Sequence, residues 1–360
     1  MNAVVEDEKR EMDRYIKQQR LALGKKLQGR KSINLDTKYW IILRDAATGQ
    51  TDDPDKKKLL SLLRDLVVKG IAFCPLSCPA FMEFGLQSDR STRIATAQMV
   101  DELSLGATLS DPETLMNAEL AQFIRRVNGY NDLHHIQHLV WTKVSFVFGE
   151  TFLSFAGIEL NGEFSVQKPF YDYLAQTPCT KIMESIGGPD EMPPMPGHNP
   201  TKLNADIAFH ADSLKSFEQT YRDEIAGTVE VVGQHAANIF NDIICNQYGE
   251  YREPSAELLN MVKNLLAAQF NKPETKMELR MMHIYATLHA DLRWNRGQKF
   301  KPNDLMDFIH ATCAVAFCDV FMTERRLANV LTNRQHLDDL YDCKVVYRVS
   351  DACELLENMI

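Results

Sequence analysis

Acidic side chains recur where this chain leaves a predicted strand or enters a predicted helix: Asp36, Glu83, Asp304, Asp307 and Glu324. Carboxylates are hard oxygen donors, the ligands that Mg²⁺ and Mn²⁺ prefer. Gathering them without a cation costs about 1–4 kcal/mol for a pair at ~4 Å in a surface-like dielectric. A divalent ion offsets that repulsion, activates water and neutralises charge building on a phosphoryl centre. The chemistry these acids predict is metal-dependent phosphodiester hydrolysis, provided the fold delivers them to one place.

Asp36 ends the run Ser32-Ile33-Asn34-Leu35-Asp36-Thr37-Lys38-Tyr39-Trp40, a short strand that turns at once into a helix. Open α/β sheets bind ligands just past the carboxyl ends of their strands, although the same position also suits a helix cap. Residues 56–69 carry leucines at helical spacing and stop at Gly70; residues 71–75 read as a second buried strand; Ser77 and Pro79 start a helix that bears Glu83. That is a β-α-β unit, hence a parallel sheet with a right-handed crossover.

Long amphipathic stretches then take over, at 116–127, 134–148, 203–248, 255–270 and 276–288, broken by a Pro/Gly-rich loop at 187–197, with 152–164 ambiguous. The α/β pattern returns near 290. Asn303 or Asp304 caps a helix over 305–317 that places Asp307 on the face of Asp304; 318–323 is a strand followed by Glu324; 325–331 is helical; 343–349 is a closing strand; and Ser350 to Glu354 opens a last helix with near-capping-box chemistry. The organisation that follows is an N-terminal charged helix at 1–30, a discontinuous α/β domain at 31–100 and 290–360, and a helical insertion at 101–289. If the strands run parallel, the acids meet at one sheet edge.

These segments resemble the PIN-domain nucleases. Ile33-Asn34-Leu35-Asp36-Thr37 is similar to that family's opening strand, the helix opening Asp307-Phe308-Ile309-His310-Ala311 to its central helix, and Thr323-Glu324-Arg325 to its strand-end motif. Lys38 stands where the family usually has Asn, and Arg325 where many members have Asp. The resemblance implies a PIN-like parallel-sheet α/β/α sandwich interrupted by a large all-helical insertion. It implies Asp36, Glu83 and Asp307 as metal-binding acids with Glu324 as the fourth, Asp319 being the alternative there and Asp304 competing with Asp307. Mg²⁺ or Mn²⁺ would be the cofactor and nucleic acid the substrate, RNA favoured over DNA. Lys38, Arg325 and Arg326, with Arg90, Arg93 and Arg293 nearby, are candidate phosphate contacts that position a strand without reading its sequence. The alternative is a PIN-like scaffold without catalysis that binds protein or nucleic acid through its helical region.

Other signals carry less. His134-His135-x-x-His138 has ligand-like spacing on a helix but lacks the acid of a zinc peptidase, so a polar face accounts for it. Cys74/Cys78 and Cys313/Cys318 lack paired zinc spacing, and no Gly-x-Ser-x-Gly or phosphate-cradling Gly-rich loop occurs. Lys38 occupies the position where an aspartyl-phosphate phosphatase needs a second Asp. The net charge of −9, with 45% hydrophobic and 25% charged residues, argues for a globular protein not coated with nucleic acid, while leaving room for a local basic patch. With no apolar run of membrane length and no apolar core in the charged first twenty residues, a cytoplasmic protein with reduced cysteines is the expectation.

Overall fold

The computed structural model describes residues 2–131, 133–153, 164–192, 200–248, 253–295 and 297–360. A long helix, α1 (Asn2–Leu27), is amphipathic and buries Met12, Ile16, Leu23 and Leu27. It leads through Gly29, at φ +85°, into β1 (Lys31–Leu35). Then α2 (Thr37–Ala47) follows at once, and α3 (Pro54–Val68) starts on the Asp53 cap with Pro54 in its first turn. Gly70, at φ +73°, turns the chain into β2 (Ala72–Phe73), laid parallel to β1. Next come α4 (Cys78–Gly85), capped by Ser77, and α5 (Arg90–Leu103), capped by Asp89.

A two-stranded antiparallel ribbon, β3 (Ala107–Leu109) with β4 (Trp141–Lys143), flanks α6 (Pro112–Val127). The helices α7 (Phe164–Ala175), α8 (Cys179–Ser185), α9 (Pro200–His210), α10 (Phe217–Tyr248), α11 (Ala256–Gln269), α12 (Pro273–Glu278) and α13 (Arg280–Trp294) come next. The chain then returns to the sheet through α14 (Asp304–Phe317), β5 (Val320–Met322), α15 (Arg325–Asn329), α16 (Leu337–Tyr341), β6 (Lys344–Val346) and α17 (Val349–Glu357).

The main sheet has the order β2-β1-β5-β6, all parallel, so its two centre strands come from opposite ends of the chain. Ile33 and Leu35 pack on one face with Trp40, Leu63 and Met322, while Phe321 packs on the other with residues of α13 and α14. Both faces are covered, as a parallel sheet requires. The architecture is therefore mixed α/β around a parallel four-stranded sheet. Among the described residues no helix is long and apolar enough to cross a membrane, and all eight thiols are free.

Several expectations need correction. The insertion is not all-helical: 134–148 forms a 3₁₀ turn (Ile136–His138), β4 and a second 3₁₀ turn (Val144–Phe146). Val140, Trp141, Thr142 and Val144 favour extended backbone, and pairing with β3 outweighs the helical spacing. The stretch 203–248 is two helices with a break near Ala211–Ser213, and 276–288 breaks at Leu279. The last helix begins without a side-chain cap at Arg348, so Ser350 plays no capping-box part. Residues 193–197 of the Pro/Gly-rich loop and 154–163 of the ambiguous stretch lie outside the described residues.

Candidate active site

The register Leu35↔Met322 ends β1 and β5 side by side, so the chain leaves the sheet at Asp36 and at Thr323-Glu324 together. Backbone bonds hold this edge: Asp36 N–H donates to Met322 O at 2.9 Å and Thr323 N–H to Val346 O at 3.0 Å. Thr323 is fully buried, and its hydroxyl donates to Asp36 Oδ2 at 2.9 Å. Asp36 occupies the N-cap position of α2, yet its carboxylate caps nothing. Asp53, Asp89 and Asp111, by contrast, accept backbone N–H groups of the helices they precede. The Asp36 carboxylate is turned away from its helix and held by the neighbouring strand.

Glu83 on α4 and Asp307 on α14 face the same edge. Burial raises the pKa of Glu83, and Asp36 and Glu324 raise it further; the Thr37 hydroxyl opposes this electrostatically without forming a well-aligned hydrogen bond. Burial is also the first cause for Asp307, whose pKa is pushed up to about 8 with added repulsion from Asp36, Glu324, Glu83 and Asp304. Asp36, Glu83, Asp307 and Glu324 thus converge. They interact through their fields: among the described residues no group of three or more His, Cys, Asp or Glu closes on one point as metal ligands do. A narrow cleft of about 20 Å³, room for one water or one ion, opens beside Asp307, Glu324 and Arg326.

Five assignments change. Asp304 is not an open ligand: Arg326 grips it at 2.8 and 3.3 Å, and it accepts the Lys301 N–H at 2.9 Å. Arg326 is correspondingly engaged and is not a free phosphate clamp. Asp319 lies at the opposite, amino end of β5, bonded to Lys31 Nζ (2.7 Å) and to the Ser32 N–H and hydroxyl (2.9 Å each), so it is no alternative to Glu324. Lys38 points along the edge, 3.3 Å from Tyr347 O. Arg325 is exposed and meets no carboxylate among the described residues. Arg93 is buried and donates to Gln87 O and Ser88 O, and Arg293 pairs with Glu224, so both are structural.

What the sequence reading missed is a buried polar node behind the acids. His310 Nε2 lies 2.7 Å from Asn34 Oδ1 and 3.0 Å from Ser77 Oγ, and all three residues are buried. Nε2 is thus shared between the Asn34 amide and the Ser77 hydroxyl. Burial lowers the His310 pKa, which keeps the ring neutral. Asn34 precedes Asp36 on β1, Ser77 caps the helix of Glu83, and His310 sits one turn after Asp307. One imidazole therefore ties together the three elements that carry the acids. Two signals announced it: an Asn inside an apolar strand and a His on an apolar helix one turn from an Asp.

No family model, curated protein or solved structure matches this chain.

Replacing His310 with Ala leaves the Asn34 amide oxygen buried without a partner and takes from Ser77 one of its two. The expected loss is about 2–4 kcal/mol in urea unfolding; a loss below about 1 kcal/mol would count against the node. For Asp307 the folded-state pKa of about 8 exceeds the ordinary 3.8, so its contribution to stability is present at low pH and is lost as pH rises toward 8. Asp307→Asn removes that loss. In metal-free buffer its melting temperature should match the native protein's near pH 4 and exceed it increasingly up to about pH 8; parallel curves would refute the crowding.

Proposed function

We propose that this chain is a metal-dependent nuclease of PIN-like type that hydrolyses phosphodiester bonds, with RNA favoured over DNA on the strength of the family resemblance. The observation that carries the reading is the Asp36 carboxylate. It stands at a helix cap without capping, is held by Thr323, and faces Asp307, which burial first and the repulsion of Asp36, Glu324, Glu83 and Asp304 second keep protonated at neutral pH. Four hard oxygen donors crowded with no compensating cation are the donor set that Mg²⁺ or Mn²⁺ fits, and Mg²⁺ retains several waters and so needs no closed protein cage. Asp36, Glu83, Asp307 and Glu324 would hold the ion.

When bound, the ion lowers the pKa of an attacking water and neutralises charge on the phosphoryl group. The chain's own residues supply the rest. Thr323 fixes the rotamer of Asp36, the node at His310 fixes the spacing of the acid-bearing elements, and exposed Arg325 offers a phosphate contact beside Glu324. In this reading 31–100 and 290–360 form the nuclease domain, and the inserted helical region shapes access or binds a protein partner. One observation favours a non-catalytic scaffold instead: Arg326 already brings a guanidinium to the edge of the cluster and neutralises Asp304.

A cleavage panel of RNA and single-stranded DNA, with and without Mn²⁺, decides between them. Cleavage should require the ion, fall at least about 100-fold in Asp36→Asn and about 10-fold in Thr323→Val. Calorimetry should show Mn²⁺ binding that vanishes in Glu83→Gln. Metal-independent cleavage, full activity in Asp36→Asn, or no Mn²⁺ binding by the folded native chain would overturn the nuclease reading.

A further inference from the structure

The parallel sheet has a second pole. At the amino ends of its strands, where Ser32 lies early in β1 and Asp319 precedes β5, lies a cavity of about 370 Å³. It is separated from the acids by the length of β1, about 15 Å at ~3.3 Å per residue. Its roof is the last turn of α1 and the turn at Ile136–His138. Gly24 lets these two come together, since a Cβ there would lie 2.5 Å from His138 Cα. Gln137 pins the roof from the other side by donating to Phe317 O at 3.1 Å.

The charges around this cavity are unbalanced. Arg280 donates only to backbone carbonyls, Met277 O and Ala316 O, each at 3.0 Å. Neither Arg280 nor Arg30 has a carboxylate within salt-bridge distance among the described residues. The carboxylate of Asp319 is already saturated by Lys31 and Ser32, which leaves Asp342 at the rim as the one other acid in the lining. His135 and His138 stand with ring centroids 5.7 Å apart, and His135 Nδ1 accepts the Gln137 N–H. The pKa of His138 is lowered by burial and then by His135 and Lys25, a sign of positive field there. Trp141 belongs to the core beneath the cavity, 4% exposed and packed edge-on against Phe73 at 5.2 Å, whereas the His135 ring is exposed.

From the cavity, its two arginines without carboxylate partners and its exposed His135 ring, we infer a binding site for a small phosphorylated aromatic molecule of the nucleoside monophosphate class. Guanidinium groups favour phosphate through charge-assisted, forked hydrogen bonds. A planar base lies against the exposed His135 ring, and Asp342 accepts from an amino or hydroxyl group. A volume of 370 Å³ is near the lower end for ligand sites, which suits one nucleotide and excludes a polymer. The site does not depend on the acid cluster and stands whether or not that cluster cuts nucleic acid.

Titration calorimetry of the full chain in EDTA, with AMP, adenosine and inorganic phosphate as probes, tests it. AMP should bind one to one, and adenosine and phosphate each at least about 10-fold more weakly, the loss of one charge-assisted contact being worth ~1.4 kcal/mol or more. Arg30→Gln, a half-exposed position safe for folding, should weaken AMP about 10-fold, His135→Ala should weaken AMP more than phosphate, and Asp307→Asn should change nothing. No AMP binding up to about 5 mM, unchanged affinity in Arg30→Gln, equal binding of adenosine, or loss in Asp307→Asn would each overturn the assignment.

Discussion

A neutral imidazole in the interior sets the geometry on which the acidic edge depends. His310 bonds Asn34 of the central strand and Ser77 at the head of the helix carrying Glu83, and itself rides one turn beyond Asp307. Carboxylates repel, and nothing in their own chemistry would keep Asp36, Glu83 and Asp307 together without a cation. The restoring force comes from behind them. Separating the three elements would strand polar groups in a dry core, and each stranded group costs about 1–3 kcal/mol. The node converts hydrogen-bond satisfaction in the core into electrostatic crowding at the surface.

That crowding differs in kind from ordinary burial, as a second carboxyl shows. Glu119 is buried between α6 and α13, and its pKa is also raised to about 8. There burial acts almost alone, and the Met281 N–H and the nearby Arg280 charge oppose it. Glu119 is thus a neutral or nearly neutral strut at the start of α13. Asp307 has no such relief: every other influence on it is another carboxylate. Both shifts begin with burial, and that of Asp307 alone adds repulsion from other carboxylates.

Strand and helix chemistry made much of this fold legible in advance. The apolar run at 33–35, the leucine spacing at 56–69, the stop at Gly70 and the buried run at 71–75 implied a parallel β-α-β unit, and the late return of strands implied that both ends of the chain share the sheet. Three things were hidden. The β3–β4 ribbon was masked because Trp141 and its neighbours also fit a helical period, and only pairing with Ala107–Leu109 decides between them. The engagement of Asp304 depended on Arg326, 22 positions away and across a strand. The node at His310 joins residues 276 and 233 positions apart, a separation at which local pattern carries no information.

The position of Asp36 shows why a cap rule misleads at such an edge. An Asp before a helix ordinarily satisfies backbone N–H groups, as Asp53, Asp89 and Asp111 do here. A carboxylate doing so points along its helix and is unavailable for anything else. Asp36 has the same backbone conformation, φ −63° and ψ 155°, but its side chain answers to Thr323 on the adjacent strand. The helix gives up a cap contact of about 1 kcal/mol to leave a charged acceptor facing other acids. Local rules predict the backbone at this residue correctly and its side chain wrongly. That mismatch marks a side chain fixed by the adjacent strand and not by its own helix.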